Sequence, residues 1–426
     1  MTAWRSRDET IEAGALVAPS ILAETLRRSV DSAELEVSTT HGAQARRFSV
    51  YAPMAAFDLV EELTHLSARS IDRNVFFAPQ FLVPAMPRLD ERRVRLLVLR
   101  DEARGRSRLR LLMPYSVEGA GPFGRLSMLR AWSHPFGPLG TLPIDGDDPA
   151  GTLKDFLATL ADPDLSLAPH LVLPDLRIDG PMAQTLLTVA REAGLPVAVV
   201  NAFDRAALIA DAGGEAVKGA LSSRRRRELR RQWRRLSAFG AVSVEVAREP
   251  AAVRLALEDF LMLEASGWKG RQRSALTDDR YRAAFAREAV HGLAERGGVR
   301  IFTLRVGTRP AASLVTFIEG CEAFAWKTAY DEDFAFASPG QQVMAEATRV
   351  FLADPSIQRV DSCAAPDHFV MNRFWKDRVR IATVVVGLRP GREADVEAIG
   401  RLLVRRRRRA NLWRLARKRL RALLPL

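Results

Sequence analysis

Cysteine is nearly absent: Cys321 and Cys363 are the only two in 426 residues, and they form no CxxC pair. That excludes a disulfide framework and a cysteine-rich zinc centre. Histidine is scarce as well. The six (His41, His65, His134, His170, His291 and His368) are scattered, with no HExxH and no pair at helical spacing. No metal centre is expected. No apolar run approaches the ~18–20 residues of a membrane-spanning helix. The opening MTAWRSRDETIEAG has no basic segment leading into an apolar one, so no signal peptide is expected. Negative charge is in short supply: 51 Asp+Glu stand against 64 Lys+Arg, a formal net charge of +13. Such a surplus suits a polyanionic or membrane-surface neighbour, and equally an arginine-rich surface from a high-GC genome. Aromatic residues are sparse among the basic runs, which argues against reading of nucleic-acid bases. The expected location is the cytoplasm, with peripheral contact at the inner membrane face.

What is present is ample core material, at 47% hydrophobic residues, enough for two or three domains. Residues 1–45 are polar and aperiodic and read as an N-terminal arm. From about Phe48 an α/β pattern of mixed helices and strands begins. In a first unit, 46–204, helical periodicity falls at 56–67, 79–86, 150–160 and 182–193. Strand patterns fall at 94–99, 108–115, 126–132, 170–173 and 196–200. In a second unit, 205–390, a basic helix at 215–238 stops at Gly240, in a C-cap position. A strand (242–246) and a helix (250–266) follow. Thr277 then reads as the N-cap of the next helix, with Asp278 and Asp279 in its first turn. Three closely spaced strands, 299–306, 311–317 and 323–329, make an antiparallel meander. A Ser338-Pro339-Gly340 turn, a helix, a strand at 359–361, a helix at 368–376 and a strand at 381–388 complete the unit. Both units share this order of elements, which points to a duplication.

Residues 391–426 form a tail ending RLLVRRRRRANLWRLARKRLRALLPL. Leu412, Leu415, Ala416, Leu420 and Leu423 recur at helical spacing beside Trp413, with Arg and Lys elsewhere. This is a basic amphipathic helix, suited to an anionic membrane surface or to a partner such as a synthase complex through 401–426.

The stretch Ser338-Pro339-Gly340-Gln341-Gln342 carries the clearest local chemistry. A helix N-terminus has unsatisfied N–H groups and attracts phosphate. Gly340 permits close backbone approach and an unusual φ. Pro339 fixes φ, and the two glutamines keep the first turn free of negative charge. The same residues also make an ordinary turn, with Ser338 as N-cap and Pro339 at N1. Chemistry alone leaves both readings open.

Three words appear in order: LEASGWKGRQRSAL (263–276), WKTAYDEDFAFASPGQQVM (326–344) and DSCAAPDHFVMNRFWKDR (361–378). Set in this order of elements, they resemble the BioF2-like acetyltransferase domain of the GNAT superfamily. That group includes CelD-type proteins of cellulose biosynthesis and is distantly related to the Fem aminoacyl transferases. The resemblance covers roughly residues 45–390. It implies tandem GNAT-like units in a Fem-like architecture, the first unit degenerate. It also implies transfer of an acyl group from acetyl-CoA or another acyl-CoA to an amine or hydroxyl of a polysaccharide or envelope precursor. The alternatives are a Fem-like enzyme using aminoacyl-tRNA and a non-catalytic GNAT scaffold at the membrane. The family turn usually reads Q/R-x-x-G-x-G/A, whereas this one has a single glycine.

Under the resemblance, Tyr330, Ser338, Pro339, Gly340, Gln341 and Gln342 would hold the donor. Direct acyl transfer needs a neutral amine or activated hydroxyl and a stabilised oxyanion. Asp361 and His368 are the leading candidate bases, with Asp331 third; Asp367 is expected to N-cap the helix that His368 opens. Trp268, Lys269 and Arg271 would close over the acceptor, with Trp375 and Arg225 of the basic helix also on the substrate side. Lys327, mid-strand, would be costly to bury unpaired. It should face the cleft or pair with Asp331, Asp361 or Glu264.

Overall fold

Strand-forming residues from both halves of the chain join one thirteen-stranded sheet. The computed structural model describes residues 35–39, 45–90, 92–103, 106–120, 126–210 and 223–423. The first half supplies β1 (Leu35–Thr39), β2 (Arg46–Tyr51), β3 (Arg95–Ala103), β4 (Arg106–Ala120), β5 (Leu126–Ala131), β6 (His170–Arg177) and β7 (Val197–Ile209). The second half supplies β8 (Val242–Ala247), β9 (Val299–Val306), β10 (Arg309–Glu319), β11 (Glu322–Tyr330), β12 (Arg359–Asp361) and β13 (Asp377–Gly387). Their spatial order is β1-β2-β3-β4-β5-β6-β13-β7-β12-β11-β10-β9-β8. The α/β mixed sheet and the expected meander, β9 to β11, are both present.

That order is a palindrome about the β13–β7 pair. β2 to β6 mirror β8 to β12, and each half has one parallel contact, β5 with β6 and β11 with β12. The last strand of each half crosses into the other. β13 lies between β6 and β7, and β7 runs on to pair with β12. The boundary expected at 204/205 therefore falls inside β7. The expected arm lies largely outside the described residues, but Leu35–Thr39 is a strand paired with β2.

The helices are α1 (Val60–Arg69), α2 (Pro79–Leu89), α3 (Pro149–Leu160), α4 (Pro181–Glu192), α5 (Ser223–Ser237), α6 (Pro250–Ser266), the single turn α7 (Trp268–Arg271), α8 (Arg280–Ala294), α9 (Pro339–Leu352), α10 (Phe369–Phe374) and α11 (Glu393–Leu423). Only the 223–237 part of the expected basic helix lies within the described residues. Thr277 does not cap α8. It sits in a preceding 3-10 turn, and the cap is Asp279, whose carboxylate takes the Tyr281 and Arg282 amides. An Asp one residue before the helix reaches those amides better than a Thr three residues before it.

One core runs continuously through both halves, with Phe81 at its centre in edge contacts with Phe285, Phe317 and Trp326. A second packs α5, α9 and α10 on the other face of the second half. A small third cluster seats Val396, Ile399 and Leu403 at the start of α11. Further along that helix Leu412 and Trp413 are exposed.

Ion pairs pin the halves together. Arg177 on β6 donates twice to Glu322 on β11, at 2.9 and 2.6 Å, and Arg359 donates to the same carboxylate at 2.9 Å. Arg177 and Glu322 are both buried. Glu322→Gln leaves buried Arg177 with only the more distant Asp72 carboxylate, at 3.5 Å, and should cost about 3 kcal/mol. Urea unfolding should show this as a lower midpoint at unchanged slope. The exposed Arg349–Glu346 pair is the control: Glu346→Gln should shift stability by less than about 0.5 kcal/mol.

Candidate functional site

The open edge of β11 creates the site. β12 pairs with β11 at only three positions, ending at Phe324 opposite Asp361. Two residues on, Cys363 takes a left-handed conformation, φ 52°, and the chain turns away. β11 continues to Tyr330 with that edge uncovered. Trp326 is an extra residue in β11, because Ala325 pairs with Thr316 and Lys327 with Val315. A bulge of this kind bends a strand and re-aims its backbone groups. The indole N–H of Trp326 donates to the Phe136 carbonyl at 2.8 Å, fixing the bulge against the first half. The Thr328 carbonyl accepts from Lys269 Nζ at 3.2 Å, so polar side chains reach this edge.

A cavity of about 530 Å³ occupies the gap. Its walls are β11 from Ala325 to Tyr330, the start of α9, the Ser362–Ala364 turn, the start of α10, and Glu264 with Gly267–Lys269. The three sequence words thus meet in one place.

The start of α9 is open to an anion. Ser338 is the N-cap, in a left-handed conformation (φ 51°), but its side chain makes no capping bond. Its hydroxyl instead accepts from Gln232 Nε2 at 3.2 Å. The unusual φ expected at Gly340 belongs to Ser338. No acid lies in the first turn. A Cβ added at Gly340 would meet only Tyr330, at 3.8 Å. Tyr330, Ser338, Pro339, Gly340 and Gln341 line the cavity. Gln342 does not: it is buried and donates to the Leu229 carbonyl at 2.9 Å, tying α9 to α5.

The candidate bases separate. Asp361 is fully buried; Arg205 donates to its Oδ2 at 2.5 Å, and its Oδ1 accepts the Cys363 amide at 2.9 Å. It holds the Cys363 turn and does not line the cavity. Asp331 caps the following 3-10 turn through the Asp333 amide and pairs with Arg309 at 2.5 Å. It too lies off the cavity wall. His368 lines the cavity. It is also the N-cap of α10, displacing Asp367 from that role, with Nδ1 accepting the Met371 amide at 3.2 Å. Burial lowers its pKa, so the ring is neutral near pH 7.

Among the substrate candidates, Trp268, Lys269 and Lys327 line the cavity. Arg271 is drawn away to Glu332, at 2.7 Å, and Arg225 pairs with Glu228 at 2.8 Å. Trp375 is a core residue whose indole N–H donates to Thr348. The sequence reading did not place Glu264 in the site, only among Lys327's possible partners. Glu264 is buried; Lys269 Nζ lies 2.8 Å from its Oε1 and Lys327 Nζ 3.7 Å, while Oε2 accepts the Leu276 amide at 2.8 Å. Its spacing was the available signal. Leu257, Phe260 and Leu261 stand seven, four and three residues before it, so Glu264 falls on the buried stripe of α6.

Burial alone would raise the Glu264 carboxyl, but Lys327 and Lys269 outweigh it and hold the pKa below the ordinary value. Burial pushes Lys327 down to about 8, with Glu264 opposing. Its ammonium also sits 4.3 Å from the ring centre of Phe136, a cation–π contact.

These features define a two-unit protein with the tandem GNAT, Fem-like fold. Residues 223–371 match the family described as "Acetyltransferase (GNAT) domain". No curated protein matches the chain. Among solved structures, it is similar to a C-terminal domain (DUF2156) assigned to a lysylphosphatidylglycerol synthetase of Agrobacterium fabrum. That likeness has 14% identity and TM-score 0.50, covering 82% of this chain and 96% of that one. It is likewise similar to FemX, at 9% identity and TM-score 0.51, covering 78% of this chain and 96% of that one. At these identities the likeness is one of fold.

Trace acetylation of the folded protein, read by mass spectrometry across pH, should give Lys327 a midpoint of about 8 rather than the ordinary 10.5. Glu264→Gln removes the opposing carboxylate and should move the midpoint lower still. A midpoint near the ordinary value in both proteins would contradict the desolvated lysine.

Proposed function

We propose that the protein is an acyltransferase that moves an acyl group, acetyl in the first instance, from acyl-CoA to an amine or hydroxyl. The acceptor class we favour is a polysaccharide or envelope precursor, following the CelD-type resemblance. The observation that carries the reaction class is the cavity itself, where an uncovered strand edge meets an uncapped helix N-terminus. The donor pyrophosphate would sit at the Gly340 N–H and the positive end of the α9 dipole; the Gln341 N–H already donates to the Ser338 carbonyl at 2.9 Å. The thioester would lie along β11, its carbonyl polarised by backbone N–H groups freed at the bulge. The acceptor nitrogen or oxygen attacks the carbonyl carbon; the new bond forms as the carbon–sulfur bond breaks. His368 Nδ1 is taken by the Met371 amide, so the neutral ring carries its proton on Nε2 and can only donate there. The acceptor's proton passes through water to the departing sulfur, and CoA leaves as the thiol. Of the three candidate bases only His368 lines the cavity, and with Nδ1 occupied its role there is that of an Nε2–H donor to the acceptor or to the developing oxyanion.

In this reading the second unit, 205–390, performs transfer and the first, 46–204, supports it. The helix start of the first unit has the same form: Asp148 is left-handed (φ 54°) and Pro149 follows. There, however, the Asp148 carboxylate takes the Gly151 amide at 3.0 Å and pairs with Arg46 at 2.8 Å. The protein's own anion fills the position a donor phosphate would need. The exposed Leu412 and Trp413 of α11, among arginines, support peripheral contact with an anionic membrane surface.

A second reading, a Fem-like transferase using aminoacyl-tRNA, is favoured by α5. Arg235 reaches the Phe336 carbonyl at 3.3 Å beside the α9 start, bringing a basic helix next to the phosphate seat. Steeply salt-dependent tRNA binding, lost on neutralising the arginines at 224–227, would select it.

Titration calorimetry of the full chain with acetyl-CoA tests the leading reading, and absence of binding at millimolar ligand would end it. Gly340→Glu is the matched variant. A glutamate in the first turn suits the helix dipole, so thermal stability should hold or rise slightly. Acetyl-CoA binding should weaken at least about tenfold, ~1.4 kcal/mol.

A further inference from the structure

Charge around the cavity does not balance. Among the described residues that line it, the charged groups are Glu264, Lys269 and Lys327; His368 is the only other basic one. Nearby carboxylates are engaged elsewhere. Asp361 is bound to Arg205, and Glu332 to Arg271 and the Trp268 amide. Arg282 adds further positive potential at Lys327. One carboxylate therefore faces two ammonium groups, and it is also held by the Leu276 amide. Lys269 has the short contact with Glu264. Lys327 is left with a 3.7 Å approach, longer than a hydrogen bond, and the face of Phe136.

The Lys327 side chain is largely buried, in a lining where Leu263, Ala325, Ala329 and Met344 stand beside neutral polar residues such as Thr328 and Ser362. In such a setting an incompletely paired ammonium is costly, and an anion that supplies its missing partner is bound with more than its value in water. The two lysines come from different elements, α7 and β11, and converge on Glu264, and neither belongs to the α9 start. They are thus separate from the seat assigned to the donor phosphates.

We propose that one substrate carries a carboxylate or phosphate close to its reacting atom, seated against Lys327 and Lys269. This rests on the acyltransferase reading for the word substrate, but not for the anion seat itself. The charged group can belong to the acyl chain or to the acceptor.

Two matched pairs of probes, used with the full chain, separate the sources. Malonyl-CoA and butyryl-CoA are compared by calorimetry. Phosphoethanolamine and ethanolamine are compared by their protection of Lys327 from trace acetylation. The anionic member of one pair should bind at least about tenfold tighter. Preference in the first pair assigns the anion to the acyl group, and preference in the second to the acceptor. In the acyl-CoA pair Lys327→Met should erase the preference and Lys327→Arg should retain it; in the amine pair, where Lys327 is itself the readout, Lys269→Gln is the variant and should lose the preference. If Lys327→Met does not fold, Lys269→Gln serves the same comparison and should also lose the preference. Butyryl-CoA binding without discrimination in either pair would overturn the inference. Protection of Lys327 by phosphoethanolamine with no acyl-CoA binding would retire the acyltransferase reading and leave the anion seat standing.

Discussion

The buried Arg205–Asp361 pair is the interaction on which the site depends. Arg205 lies on β7, the strand that leaves the first half, and Asp361 ends β12 in the second. Arg205 also donates to the Pro138 carbonyl, two residues beyond Phe136, and Asp361 takes the Cys363 amide. One ion pair thus fixes the crossing strand, the loop that carries Phe136 against Lys327, and the turn at which β12 parts from β11. Both side chains are almost fully buried, where an unpaired charge is severely penalised. The geometry is therefore closer to all-or-none than adjustable: the parting of the strands persists while the pair does.

The two halves use nearly the same backbone for different ends. Each has a left-handed residue followed by proline at the helix start, Asp148-Pro149 and Ser338-Pro339. Each has a left-handed residue just beyond its parallel strand contact, Asp175 and Cys363. What differs is side-chain chemistry. A carboxylate can both cap a helix and neutralise its positive end; a hydroxyl drawn to Gln232 does neither. Replacing Asp by Ser at the equivalent position is the physical difference between a closed helix start and an open one.

Much of this was legible in the sequence. Strand alternation, the Gly307 and Gly320 turns, and the helix following Ser338-Pro339 all follow from local preferences. The cavity was legible only as three words, because nothing local says that residues 264, 327 and 363 meet. Asp361 illustrates the limit. A carboxylate at the end of a strand beside a cleft looks like a base, and its actual partner lies 156 residues earlier. Lys327 was the opposite case. The cost of burying a lysine in a period-2 strand required a partner or a cleft, and the structure gives Lys327 the cleft, with Glu264 only at 3.7 Å. The exchange of β7 and β13 was invisible because each reads as an ordinary strand, and register between distant strands is set by tertiary packing rather than by pattern.

That exchange shows how the first half supports the cavity of the second. A three-residue strand such as β12 has little hold on its own, and the site requires that β11 be left uncovered beyond it. β12 must then be secured from its other side. β7 does this through Asp361 opposite Ala207, Val360 opposite Leu208 and Arg359 opposite Ile209. β7 is in turn locked by β13 along most of its length. The first half thus supplies the support that lets one edge of the second stay open, and adds Phe136 beneath the lysine at its deepest point.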